Sequence, residues 1–319
     1  SEMCIRDRYD IAAINKAIEI AKENKDEAPI FYILACRIGP FIHGIKKKIQ
    51  AIGGTLLVNP DGHEWLRAKW SAPVRRYWKI SEGLMVKHAD LLVCDSKNIE
   101  KYIQEDYKQY QPKTTYIAYG TDTTRSILKS SDEKVRSWFK EKNVSENEYY
   151  LVVGRFVPEN NYESMIRGFL ASNSKKDFVL ITNVEQNKFY NQLLAKTGFD
   201  KDPRVKFVGT VYDQELLKYI RENAFAYFHG HEVGGTNPSL LEALASTKLN
   251  LLLDVGFNRE VGEQSAIYWK KDELSQVIEE VEQFDEKMID ELDRQSNQRI
   301  ADAFTWEKIV TDYENLFKG

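Results

Sequence analysis

Residues 234–242, which read GGTNPSLLE, join a glycine pair to a proline that opens a helix. They follow the apolar run 225–229, which predicts a buried strand. Proline at the first helical position loses no backbone hydrogen bond, and either residue before it can act as the N-cap. A helix that begins in this way presents unpaired N–H groups and a positive dipole end. The segment therefore predicts a diphosphate site formed by Gly234, Gly235, Thr236, Asn237 and Ser239.

Glu242 lies about one turn inside the same predicted helix. At that depth its carboxylate can accept hydrogen bonds from the ribose hydroxyls of a nucleotide. The competing interpretation is a well-capped helix without a ligand, and the segment alone does not decide between the two.

A second candidate site lies at residues 154–161, which read GRFVPENN and also follow a predicted strand. Gly154 leaves the strand, and Arg155 can neutralise a phosphate there. Taken alone, Arg155 is equally compatible with an ordinary surface loop. Two such segments at strand ends of one domain support each other, because parallel α/β sheets bind ligands at the carboxyl ends of their strands.

The elements that must position these segments alternate between strands and helices, which predicts an α/β protein with two Rossmann-like, doubly wound domains. Apolar runs predict strands at 29–36, 54–58, 89–95, 114–118, 149–153, 178–182, 205–208, 225–229 and 250–254. Amphipathic or capped segments predict helices at 41–52, 73–88, 98–105, 213–223, 238–246 and 306–317. We expect domains at 9–125 and 149–303, a linker with one helix at 126–148, and a terminal segment at 304–319 that packs back on the first domain.

The start of the chain predicts an incomplete first domain. Residues 1–8, SEMCIRDR, resemble the translated read-through of a sequencing adapter and form a non-native leader in this interpretation. Residues 11–24 then predict a helix, whereas a complete βα domain would begin with a strand.

Composition narrows the class of protein and its compartment. The chain has 319 residues, of which 42% are hydrophobic, so it can bury two cores. Its three cysteines, Cys4, Cys36 and Cys94, are widely spaced, which excludes a disulfide framework and a cysteine zinc site. No apolar run reaches the roughly 20 residues of a membrane span. We therefore expect a cytoplasmic protein, with peripheral contact to the inner membrane face as an option.

The segment 61–79 mixes aromatic and basic residues after a predicted strand. Asp61 and His63 come first and can hydrogen-bond a sugar hydroxyl or a developing charge, although a structural loop histidine is the plainer interpretation of His63. The basic and aromatic residues suit an anionic lipid headgroup or the diphosphate of a polyprenyl carrier, with core packing of the tryptophans as the alternative. Nucleic acid is disfavoured by the net charge of −4. The candidate acceptor or membrane residues are Trp65, Arg67, Lys69, Trp70, Arg75 and Arg76.

The order of motifs resembles one family. GRFVPENN, HGHEVGGTNPSLLEALAS and FTWEKIVTDYENLF, with ADLLVCDSKNIEKYI and YIAYGTD upstream, resemble the GT-B glycosyltransferases of family four. The resemblance implies a retaining enzyme that uses front-side attack, without a metal ion or cofactor, and with catalytic roles for Asp61, His63 and Arg155. The chain departs from the family at Gly234, where a glutamate is common, and Glu232 is the nearest substitute. It also has Asn160 and Asn161 in the region where the family often has a lysine.

Within that family, VNPDGHEWLRAKWS and VGGTNPSLLEALAS most resemble bacterial rhamnosyltransferases of capsule and cell-wall polysaccharide synthesis. The resemblance implies transfer of L-rhamnose from dTDP-rhamnose, or of another sugar from a dTDP- or UDP-sugar, to a lipid-linked saccharide. Since a first strand and its glycine-rich loop are absent from the sequence given, the alternative is a nucleotide-sugar-binding module without turnover.

Overall fold

The computed structural model describes residues 2–67 and 70–318, with side chains from Asp7 onward. The chain divides into two compact units. The first unit contains the residues up to Ala118, together with Val233–Thr236 and the chain from Val310 onward. The second contains Tyr119–Glu232 and Asn237–Ile309.

The first unit is a parallel sheet of four strands in the order β1-β2-β3-β4. Its strands are β1 (Ile30–Leu34), β2 (Thr55–Asn59), β3 (Leu91–Cys94) and β4 (Thr114–Tyr116). Its helices are α1 (Glu2–Asn24), α2 (Gly39–Gln50), α3 (Ala72–His88) and α4 (Lys97–Asp106). Strand order follows chain order throughout, so neighbouring strands are also successive in sequence.

Helices α2 and α3 pack closely because of two small residues. A Cβ atom on Gly39 would lie 2.3 Å from the carbonyl oxygen of Ser81, so only glycine allows this approach. The Ser81 hydroxyl donates to the Cys36 carbonyl at 2.6 Å and accepts from the Gly39 N–H at 2.8 Å. Burial of Ile42 and Ile49, both at 0% exposure, completes the contact and stabilises the unit by about 1.5–3 kcal/mol for each side chain.

The second unit is a parallel sheet of six strands. Its strands are β5 (Tyr149–Val153), β6 (Asp177–Ile181), β7 (Val205–Gly209), β8 (Ala226–His229), β9 (Asn250–Leu253) and β10 (Ile267–Trp269). Its helices are α5 (Glu133–Lys142), α6 (Tyr162–Ala171), α7 (Lys188–Thr197), α8 (Gln214–Glu222), α9 (Pro238–Ser246), α10 (Gly256–Gly262), α11 (Leu274–Val281) and α12 (Glu286–Ala303). Helix α13 (Trp306–Lys318) begins in this unit and ends in the first.

The strand order of the second sheet is β10-β9-β8-β5-β6-β7. From β5 the chain adds β6 and β7 on one side, and it then crosses over to add β8, β9 and β10 on the other. The loops after β5 and β8 therefore leave the same edge of the sheet in opposite directions. Such a switch point opens a crevice, which is where α/β sheets bind ligands.

The predicted α/β fold with two parallel sheets is confirmed. Several segments differ from the sequence-based expectation. Helix α1 begins at Glu2, before the predicted start at residue 11. Strand β10 was not predicted, because three residues give no usable periodicity. The one helix expected within the linker 126–148 is α5, but its buried Val135, Trp138 and Phe139 belong to the core of the second unit.

Candidate functional site

A cavity of about 270 Å³ lies within the second unit at the switch point between β5 and β8. Its walls come from the ends of both strands, the loops that follow them and the start of helix α9. The structure brings together four residues of the predicted donor site along this wall, and they are Gly154, Arg155, Asn237 and Ser239.

Arg155 supplies the positive charge of the cavity. Its side chain is exposed, and none of the side chains in the described part of the chain pairs with its guanidinium. Two side-chain hydrogen bonds hold the backbone of the loop around it. Asn160 Nδ2 donates to the Arg155 carbonyl at 2.7 Å, and the Tyr162 hydroxyl donates to the Gly154 carbonyl at 3.2 Å. An ordered backbone that carries an unpaired guanidinium suits an anion such as a phosphate.

Helix α9 begins as the sequence predicts, with Asn237 as its N-cap and Pro238 in the first turn. Its first N–H groups are already paired, however. Ser239 N–H donates to Asn237 Oδ1 at 2.9 Å, and Leu240 and Leu241 N–H donate to the Asn237 carbonyl at 3.0 and 3.2 Å. The expectation of unpaired N–H groups is therefore wrong for these three residues. The positive dipole end remains, equivalent to about half an elementary charge.

The Ser239 side chain fixes the helix to the sheet. Its hydroxyl donates to the Val153 carbonyl at the end of β5, at 2.9 Å. The Tyr227 hydroxyl lies 2.9 Å from Ser239 Oγ and donates to the Val153 carbonyl at 3.0 Å. These bonds set where the helix dipole points relative to Arg155.

Two histidines that were not among the predicted site residues line the same cavity. His229 ends β8, and His231 follows one glycine later. A Cβ atom on Gly230 would lie 2.4 Å from the Asn160 carbonyl oxygen, so glycine allows the two loops to meet. The pattern His-Gly-His at a strand end, two residues before the glycine pair, is the sequence signal that could have identified them.

The ring of His231 has a defined orientation. Its Nδ1 lies 2.7 Å from Asn160 Oδ1. Since Asn160 uses its amide nitrogen to donate to the Arg155 carbonyl, its oxygen is the acceptor and His231 Nδ1–H is the donor. This bond between two side chains joins the two loops of the cavity.

His229 is buried and uncharged. Burial lowers its pKa to about 3, and the nearby His231 contributes in the same direction. Its Nε2 atom has no hydrogen-bond partner among the described residues. The Glu159 carboxyl, on the neighbouring loop, is also buried, and neither of its oxygens has a partner in the part of the chain that the structure describes.

Glu242 lies apart from this cavity. Its carboxylate pairs with Arg221, which is 4% exposed, through Arg221 Nη2 and Glu242 Oε2 at 2.5 Å. Both residues line a second cavity of the same unit, about 430 Å³ in volume, together with Lys218, Asp122 and Trp306. The structure therefore does not bring Glu242 to the Arg155 cavity.

The remaining residues of the predicted donor loop also lie elsewhere. Gly234, Gly235 and Thr236 belong to the first unit, where the Thr236 hydroxyl donates to the Asp95 carbonyl at 2.5 Å. Glu232 is in the second unit and forms an ion pair with Lys271 at 2.6 Å.

Asp61 and His63 lie in a turn after β2 with unusual backbone geometry. Asp61, Gly62 and His63 have φ angles of 56°, 73° and 52°. Left-handed conformations are costly for residues other than glycine, and they are often found at functional sites. The His63 ring lies 4.2 Å from the Tyr102 ring, and burial, reinforced by the Lys79 cation, lowers the pKa of His63.

The predicted acceptor or membrane residues are largely bonded within the first unit. Trp65 Nε1 donates to the Tyr102 hydroxyl at 3.3 Å, and Trp70 Nε1 donates to Glu64 Oε1 at 3.0 Å. Arg67 pairs with Glu64 at 2.5 Å. The structure therefore favours internal packing for this part of the aromatic and basic segment.

Trp65 contacts a partly buried polar cluster made of Lys79, Glu82, Tyr102 and Tyr107. Tyr102 and Tyr107 both donate to Glu82 Oε1, and Lys79 Nζ lies over both phenol rings at 4.8 and 4.9 Å from their centroids. Burial raises the pKa of Glu82, and the two phenol hydrogen bonds oppose that rise.

Of the other basic candidates, Arg76 is exposed and Arg75 is half-buried. Lys69 lies outside the described residues. No group of residues in the described ranges could hold a metal ion. Among those same residues, no helix has the length and apolar character that crossing a membrane requires.

Comparison with known proteins adds a family match and a fold. The family model for a domain of unknown function, DUF1972, matches residues 4–122. A search of curated proteins returns no match.

Among solved structures, HepE from Anabaena in complex with UDP has a TM-score of 0.71 at 15% identity, over 96% of this chain and 81% of that chain. The UDP-forming trehalose-phosphate synthase of Burkholderia xenovorans gives 0.75 at 10% identity, over 97% and 78%. Sucrose-phosphate synthase of Thermosynechococcus elongatus gives 0.74 at 16% identity, over 96% and 77%. The chain therefore has the GT-B glycosyltransferase fold, with two Rossmann-like domains.

Proposed function

We propose that the chain is a retaining glycosyltransferase that moves L-rhamnose from dTDP-rhamnose to a lipid-linked saccharide during polysaccharide synthesis. The observation that carries the proposal is the cavity at the β5–β8 switch point, which is lined by Arg155 and by the positive end of α9, and the Arg155 guanidinium pairs with no side chain of the described residues. A site of this charge suits the diphosphate of a nucleotide sugar. The GT-B fold supports a nucleotide sugar as the donor, and structures of HepE contain UDP and UDP-glucose.

The proposed mechanism is front-side attack. The acceptor hydroxyl oxygen forms a bond to the anomeric carbon while the bond from that carbon to the phosphate oxygen breaks. The electron pair of the broken bond stays on the diphosphate, which accepts the hydroxyl proton. Arg155 and the α9 dipole stabilise the charge that develops on this leaving group, and such preorganised stabilisation is a large contribution to catalysis.

In the same proposal, Asp61 and His63 contact the acceptor, and the exposed Arg76 contacts its lipid carrier. The strained turn at Asp61 and His63 supports the first assignment. The second rests on exposure and charge alone.

Calorimetric titration of the chain with dTDP, UDP and GDP tests the donor site. We expect dTDP to bind most tightly, and Arg155→Ala to weaken it by about 10–100-fold, the range for a hydrogen bond to a charged group. Arg167→Ala is the matched control, because Arg167 is an exposed arginine of the same unit that pairs with Glu163.

A transfer assay with dTDP-rhamnose and a lipid-linked acceptor then tests turnover. Release of dTDP that depends on the acceptor supports the enzyme. Binding of dTDP without transfer would instead favour a nucleotide-sugar-binding module, and tighter binding of UDP or GDP would overturn the choice of donor. If none of the nucleotides binds, the donor site itself is refuted.

A further inference from the structure

The loop that carries His229 and His231 is held in place by two buried amide side chains from different elements. Asn161, just before α6, donates through Nδ2 to the Gly230 carbonyl at 2.8 Å. Asn258, in α10, donates through Nδ2 to the His231 carbonyl at 3.1 Å and to the Leu253 carbonyl at 2.9 Å. With exposures of 9% and 3%, these amides fix the backbone on both sides of the loop, and with it the positions of the two imidazoles.

Within this rigid loop, one polar group is left unsatisfied. His229 is 5% exposed, lines the cavity, and has no partner for Nε2 among the residues that the structure describes. A buried polar group without a hydrogen bond destabilises a protein by about 1–3 kcal/mol. An orphaned group that borders a cavity is explained if a ligand in the cavity completes its hydrogen bond.

The other hydrogen-bond donors of the cavity are limited. The first N–H groups of α9 are occupied by the Asn237 cap, and the Ser239 hydroxyl donates to Val153. Arg155 is exposed and contributes from the side of the solvent. His229 also lines this cavity, so its Nε2, which has no partner among the described residues, offers a further donor for a second oxygen of an anion.

The charge state of His229 fits that task. Because burial keeps the ring neutral, it carries a single N–H proton, and with the proton on Nε2 it acts as a donor of the same kind as a backbone amide. It can then bind an oxyanion without the desolvation cost of a buried cation.

We propose that His229 donates a hydrogen bond from Nε2–H to a phosphate oxygen of the bound nucleoside diphosphate, and so contributes affinity that is specific to the phosphates. The inference rests on the proposed function, because it uses the same cavity. It assigns to the chain a second phosphate-binding side chain besides Arg155.

The test compares His229→Phe with His229→Gln by calorimetric titration with dTDP and with inorganic pyrophosphate. We expect His229→Phe to weaken both ligands about tenfold, because the ring is retained but the donor is lost. His229→Gln keeps an N–H donor close to the position of Nε2 and should recover most of the affinity. His88→Gln, in the first unit, is the control. Circular dichroism melting curves establish that each variant folds.

Nitrogen-15 NMR of the imidazoles gives a readout that a purely structural role would not change. On addition of dTDP, the His229 Nε2–H proton should move downfield and exchange more slowly with water. Wild-type affinity in His229→Phe, or an unshifted Nε2–H signal at saturating dTDP, would refute the role of His229 while leaving the proposed function standing. Failure of the wild-type chain to bind any nucleoside diphosphate would overturn both.

Discussion

The loops that follow β2 in the first unit and β8 in the second both have a histidine close to a strand end, but their bonding differs. His63 follows β2, whereas His229 ends β8 and His231 follows it. After β2, Trp65 pairs with Tyr102 and Arg67 pairs with Glu64. After β8, two amide side chains hold the loop backbone, yet His229 Nε2 at the cavity has no partner among the described residues.

Sheet topology accounts for much of this difference. The four strands of the first unit follow chain order, so each loop packs beside the next loop along the chain. The second sheet reverses at β5, so the loops after β5 and β8 diverge and leave a crevice. Residue type and proximity to a strand end therefore indicate a candidate, while the topology determines whether the candidate faces open space.

The largest expected effect concerns the polar cluster beside the loop after β2. Glu82→Leu should lower the free energy of unfolding by about 3–5 kcal/mol, because the buried Tyr107, the half-buried Tyr102 and Lys79 lose their shared acceptor. Urea unfolding measures the change. Glu105→Gln is the control, since Glu105 and its partner Lys101 are both exposed and such pairs contribute little. A decrease in the free energy of unfolding of less than about 1 kcal/mol would mean that this cluster does not stabilise the loop after β2.

The second prediction concerns His229 at the end of β8 and how the free energy of unfolding depends on pH. The pKa of His229 is about 3 in the folded chain and about 6.5 when unfolded, so only the unfolded state gains a proton between these values. The associated stability is fully present above pH 6.5 and is lost as the pH falls, amounting to about 2 kcal/mol between pH 8 and pH 5. His63 shifts in the same direction.

Urea midpoints at pH 8 and pH 5 measure this loss. We expect His229→Gln to lose about 2 kcal/mol less than the wild type over the same interval, because glutamine does not titrate. Equal losses in the two chains would show that His229 is accessible to protons in the folded state, and the contrast between the two loops would then disappear.

The smallest effect separates the exposed from the bonded basic residues of the first unit. Arg76→Gln should reduce binding to phosphatidylglycerol vesicles about fivefold, which corresponds to roughly 1 kcal/mol for one basic side chain at an anionic surface. Arg67→Gln should change it little, because Arg67 already pairs with Glu64. Cosedimentation measures both, with Lys140→Gln on α5 as the control. Equal effects of Arg76 and Lys140 would argue against a membrane face on the first unit.

The sequence predicts strands well because buried parallel strands are apolar on both faces, as the runs at β5 and β8 show. It indicates a helix at α5 but not that Val135, Trp138 and Phe139 are core residues, because the segment is rich in serine and charge. Arg155 and the α9 cap could be placed at the cavity, since strand ends and helix starts carry local signals. That His229 Nε2 has no hydrogen-bond partner among the described residues could not be predicted, because the partners of a buried group come from residues far apart in the chain.

The bond between Ser239 and Val153 has a consequence for how the protein is made. It joins residues 86 positions apart, Ser239 in helix α9 and Val153 at the end of β5. At about 5–20 residues per second, a ribosome needs roughly 4–17 seconds to add the intervening chain. During this interval β5 can pair with β6, and β6 with β7, while the other edge of β5 waits for β8. The binding cavity therefore forms on a nascent chain only after one side of the second sheet has been synthesised.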